Sequence, residues 1–210
     1  MKSFNLENKS RGYRNETSNE KITPYLPGRN LVDITGIIKK NSDLISKARE
    51  EMDKLVKLSN EAVYLHLLEN NQLVTVDKYE SKNYVKLSCE TGLPFPLYAT
   101  APGKVVLAYM DESNLDDYLA EELTAYTEHT IIDREELKSE LKEVKENGCA
   151  ISFGELEVGV LSISTPLFKN DEIIGAISIA GPEYRVYKKQ GEYLIALLKA
   201  TNRLNEMINK

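Results

Sequence analysis

Leu31, Ile34, Ile38, Ile45, Ala48, Met52 and Leu55 recur at helical spacing, with a break at Asn41-Ser42-Asp43. Short polar side chains of that kind cap helices, so the pattern predicts two consecutive amphipathic helices. Most of the stripe reads as packing on the chain's own sheet, and its first half is the candidate partner surface. Alternating patterns then predict strands over 62–68, 72–79 and 84–89, the first two joined by a turn at Glu69-Asn70-Asn71. Gly92-Leu-Pro-Phe-Pro-Leu97 carries two prolines two residues apart and is read as a loop. Helices are expected over 102–110, 111–120 and 134–147, the last ended by Gly148 as a left-handed cap. Strand character returns over 150–153, 158–168 and 173–181, and Leu194, Leu197, Thr201, Leu204 and Ile208 mark a closing helix. The turns are too short for parallel crossovers. The expected fold is therefore α+β, a six-stranded antiparallel sheet flanked by helices. Residues 1–30 are polar and without periodicity, and are expected to form a mobile tail ahead of one domain over 31–210.

Bulk properties narrow the function. A chain of 210 residues, 41% hydrophobic and 29% charged, suits one soluble domain, and its longest apolar runs fall short of the roughly 18 residues that suggest a membrane span. The residues after Met1 lack a secretory pattern, so a cytoplasmic location is expected and no membrane contact. A net charge of −6 opposes the positive field that duplex DNA requires. Cys89 and Cys149 are too few for a disulfide framework or a four-cysteine zinc site, and are read as small buried hydrophobes; no cofactor or metal is expected. His66 sits in an apolar strand and His129 in a polar loop. Neither has an evident nucleophile or orienting partner, so catalysis is not expected.

Three stretches carry a resemblance. They are Glu61-Ala-Val-Tyr-Leu-His-Leu-Leu with Leu73-Val-Thr-Val-Asp-Lys-Tyr-Glu-Ser81, then Pro96-Leu-Tyr-Ala-Thr-Ala-Pro-Gly-Lys-Val-Val-Leu-Ala108, and the run from Gly148-Cys-Ala-Ile-Ser through Thr165-Pro-Leu-Phe to Gly175-Ala-Ile-Ser-Ile-Ala-Gly-Pro182. In this order the chain resembles the effector-binding domain of isocitrate lyase regulator (IclR) family transcription regulators over about residues 31 to 209. The resemblance implies a fold related to GAF and PAS sensor domains, a small-molecule effector, self-association as a homodimer or homotetramer, and DNA contact only through a winged helix-turn-helix domain. Such a domain needs on the order of 60 residues, and its absence from this chain is the expectation. A GAF-like module binding a nucleotide or a protein partner is the alternative, and a GAF-type methionine sulfoxide reductase a more distant one, since Cys89 and Cys149 lie in separate halves of the chain.

The resemblance also implies a site. Ala101, Pro102 and Gly103 open a helix whose N-terminal amides and dipole would favour an anion, so a carboxylate is the expected effector, although Pro102 removes one donor. Ser152, Ser162, Ser178 and Ala180 occupy the places that in oxo-acid-binding members carry an acid, a cysteine and two serines; three hydroxyls are kept and the acid is lost. Phe95, Leu97 and Leu161 are expected as apolar walls. Lys104 reads as a solvated or structurally paired charge, and Glu155 as either the family's acidic run or an exposed loop charge. Ser162 and Ser178 read equally as ligand contacts and as hydroxyls bonded to neighbouring carbonyls.

Overall fold

The computed structural model describes residues 29–69, 72–92 and 94–210. The expected tail over 1–30 therefore lies almost wholly outside the described residues. Helices α1 (Arg29–Lys40) and α2 (Ser42–Ser59) divide where the sequence predicts. Asn41 does not cap α2, however: its amide donates back to the Ile37 carbonyl at 3.0 Å, closing α1. Strands β1 (Ala62–Glu69) and β2 (Gln72–Tyr79) form an antiparallel pair. Helices α3 (Ala101–Tyr109), α4 (Glu112–Ala120) and α5 (Arg134–Asn147) follow, and Gly148 ends α5 with a φ of 66°, the left-handed cap expected there. The chain returns through β3 (Ala150–Phe153), β4 (Val160–Lys169) and β5 (Glu172–Pro182), then the short α6 (Glu183–Val186) and the long α7 (Gln190–Ile208).

The sheet is antiparallel with order β2-β1-β5-β4-β3. It has five strands among the described residues, because 84–89 does not join it. That segment spends its carbonyls on side chains: Arg185 donates to Val85 O at 2.8 Å, Tyr64 to Leu87 O at 3.0 Å and Lys78 to Cys89 O at 3.1 Å. The backbone of 84–89 is thus tied down by side chains rather than by a strand ladder.

Alternation along the strands gives the sheet two different faces. Val63, Leu65, Leu67, Leu161, Ile163, Ile177 and Ile179 pack with Ala48, Met52 and Leu55 of α2 and Leu197 and Leu204 of α7. This is the main core. On the opposite face α3 and α5 cover only part of the sheet, through Val105, Val106, Leu137 and Leu141 against Ala150 and Ala176. Pro166 falls within β4, which is tolerated because β3 pairs only with Leu161 to Ser164, leaving β4 an edge beyond that point.

The candidate effector-binding cavity

On the partly covered face, side chains directed away from the main core meet in a row. The pairs Tyr64↔Ser178, Ser162↔Ala180 and Ser152↔Ser162 lie side by side across four strands. Small side chains at these places leave a cavity of about 210 Å³, roofed by Leu87, Ser88, Cys89 and Phe95, by Thr100 and Pro102 at the start of α3, and by Glu155, Leu156 and Glu157. It is smaller than the roughly 300–1,000 Å³ of most ligand pockets, which suits only a small molecule.

Of the residues singled out in the sequence, Phe95, Pro102, Ser152, Ser162, Ser178 and Ala180 line this cavity. Four do not. Leu161 points to the opposite face, into the α2 and α7 core, because it is one residue out of phase with Ser162. Leu97 and Ala101 are buried in the α3 and α5 core. Gly103 is a packing residue: a Cβ built on it would lie 2.1 Å from the Leu97 carbonyl oxygen, so only glycine lets α3 approach the preceding loop.

The start of α3 is also less open to an anion than the sequence suggests. Thr100 caps it, accepting from Gly103 N at 3.2 Å; Pro102 has no N–H, and Lys104 N donates to Thr100 O at 2.9 Å. Three of the first four positions thus offer no donor to a ligand.

Lys104 is not a solvated charge. Its side chain has no solvent exposure, and Nζ lies 2.8 Å from both carboxylate oxygens of Glu140 and 2.6 Å from Glu155 Oε2. Glu155 is correspondingly buried, not an exposed loop charge. Burial pushes its carboxyl above the usual range, a displacement that Lys104 only partly offsets. Glu155 Oε2 accepts no well-aligned hydrogen bond even though the ammonium is close. Among the described residues lining the cavity, Glu155 and Glu157 are the charged ones, and none of them carries a positive group. Glu155, in the loop after β3, is the buried acid of this lining.

His66 is the other lining residue that the sequence left without a partner. A register shift between Leu65 and His66 places Thr75, rather than Val76, opposite His66. His66 Nε2 lies 2.8 Å from Ser178 Oγ, and Nδ1 lies 3.1 Å from Thr75 Oγ1, which in turn is 3.6 Å from Cys89 Sγ. Complete burial holds the imidazole neutral, with its pKa pushed down to about 3. A neutral ring donates from one nitrogen and accepts at the other, so it fixes both hydroxyls. Ser162 differs from Ser178, being half-buried with its hydroxyl unbonded among the described residues. Cys89 and Cys149 are both half-buried and free, rather than fully buried as expected.

Residues 38–204 match the family described as Bacterial transcriptional regulator IclR C-terminal. The chain is 32% identical over 165 residues to the HTH-type transcriptional regulator KdgR of Escherichia coli, covering 78% of this chain and 63% of that protein's own length. The crystal structure of the Thermotoga maritima IclR superposes with a TM-score of 0.78 at 26% identity, covering 89% of this chain and 76% of that one. An IclR homologue from Microbacterium hydrocarbonoxydans, crystallised with 4-hydroxybenzoate, shares the fold with a TM-score of 0.72 at 20% identity, covering 78% of this chain and 67% of that one. Family match, sequence identity and superposition agree, and the chain belongs to the IclR family of bacterial transcriptional regulators, of which it carries the C-terminal domain.

Proposed function

We propose that this chain is the effector-sensing part of an IclR-type regulator, taking up a small organic metabolite in the cavity between the sheet and α3. The observation that carries this reading is the row of small and hydroxyl side chains, Ser152, Ser162, Ser178 and Ala180, which opens space on the sheet face that α3 and α5 cover only in part. A solely structural sheet would fill these places with larger apolar groups. The relative that holds 4-hydroxybenzoate supports a ligand of single-ring size. Self-association as a dimer or tetramer, and control of DNA through a winged helix-turn-helix domain, are the remaining parts of the proposal, and rest on the family.

A thermal-shift screen of small metabolites, including organic acids, tests the reading. A ligand that binds only the folded state adds about 2.7 kcal/mol of stability at a hundredfold excess over its Kd. Ser162→Leu should fill the cavity and abolish the shift while leaving the fold intact. A hit that persists unchanged in Ser162→Leu places the binding site elsewhere.

A further inference from the structure

Resting on that reading, we infer that the cavity selects an uncharged molecule that donates a hydroxyl hydrogen bond to Glu155, with Ser162 as its second partner, over a carboxylate of equal size. The polar groups that face the space are biased toward accepting. Glu155 lines the cavity, and its Oε2, buried against Lys104 Nζ at 2.6 Å, makes no hydrogen bond of good geometry. Lys104, the cation beside it, is shut away from solvent and divided between two carboxylates, Glu140 and Glu155, so one positive charge faces two negative ones. An incoming carboxylate would be a third. It would lose its hydration without gaining a counter-charge, since the start of α3 is closed by Thr100 and Pro102. A hydroxyl avoids this cost and can donate to the Glu155 carboxylate. Ser162, whose hydroxyl is unbonded, can accept from or donate to the same ligand.

The test uses the full chain at pH 7.5 with three single-ring probes: phenol, anisole, which lacks the donor, and benzoate, which carries the charge. Binding is followed by amide shifts at Ser162 and Ser178. Phenol is expected to bind at least about tenfold more tightly than either of the others, the ratio of one hydrogen bond to a charged group. Glu155→Gln should weaken phenol and narrow its lead over benzoate. Ser162→Ala, which leaves Lys104 paired, should weaken phenol about threefold and serves if Glu155→Gln does not fold. Anisole or benzoate binding as tightly as phenol overturns the inference while leaving the cavity a receptor. Failure of all three probes to shift the cavity amides at millimolar concentration overturns both the receptor reading and the inference.

Discussion

Acidification should weaken the fold through His66, by an amount that its burial sets. The imidazole is fully enclosed and its pKa lies at about 3 in the folded chain, against about 6.5 when exposed. Between these values the unfolded chain binds a proton that the folded chain refuses, so stability rises with pH across the window. The contribution is complete above about pH 6.5, declines as pH falls, and is fully lost near pH 3. Each unit is worth about 1.4 kcal/mol, which gives a loss of about 3 kcal/mol between pH 7.5 and 4.5. Other groups titrate over the same interval, so the quantity to measure is a difference. Urea denaturation of the wild type and of His66→Gln at pH 7.5, 6.5, 5.5 and 4.5 isolates the histidine, because Gln keeps polar contacts to Ser178 and Thr75 but carries no proton. The wild-type chain should lose about 3 kcal/mol relative to the variant over that range. A gap that stays constant within about 1 kcal/mol would show that His66 is protonated at little cost, and that the burial argument is wrong.

Three further outcomes follow from buried contacts. Arg185→Met should cost about 3–5 kcal/mol in urea denaturation, because Glu61, whose side chain is 2% exposed, loses the guanidinium that holds both its carboxylate oxygens; a cost below 1 kcal/mol would refute this. Thr201→Val should cost about 1–3 kcal/mol by leaving the Thr165 hydroxyl buried and unpaired, and Thr165→Val added to it should recover much of that loss, since the two hydroxyls lie 2.5 Å apart. A double-mutant cycle measures the recovery, and additive losses would count against the pairing. Gly103→Ala should lower the melting temperature markedly, with a cost of about 1–3 kcal/mol or more, because its Cβ would collide with the Leu97 backbone; an unchanged transition would exclude that close approach.

The elements of this chain were legible where periodicity had one cause. Met52 and Leu55, or Leu197 and Leu204, repeat as a helix must when one face meets a sheet, and the structure buries them so. Ser162 and Leu161 show the limit within one strand. Both belong to β4, but which face holds the cavity depends on what covers the sheet, and strand period alone cannot say that. The segment 84–89 alternates like a strand, yet its bonds go to Tyr64, Lys78 and Arg185, the last of them 100 residues further along the chain from Val85. Lys104 and Glu155 each admit a solvated reading in the sequence because charged residues are seldom buried; it is their meeting in space, together with Glu140, that makes burial tolerable. The Val76 irregularity that brings Thr75 to His66 has no signature in residue type.

A strand in a ladder is held by backbone groups that every residue except proline possesses, so its place survives most substitutions. The segment over 84–89 has no such insurance. Its attachment is discontinuous, three rivets at Val85, Leu87 and Cys89, each set by one donor side chain. Exchange of Tyr64, Lys78 or Arg185 can therefore reshape the wall that carries Leu87, Ser88 and Cys89 while the sheet beneath keeps its register. The contour of the cavity thus hangs on three side chains, and because Tyr64 is packed with Ala62 and Ala180 and Arg185 holds the buried Glu61, a change of contour at either of them is also felt by the scaffold.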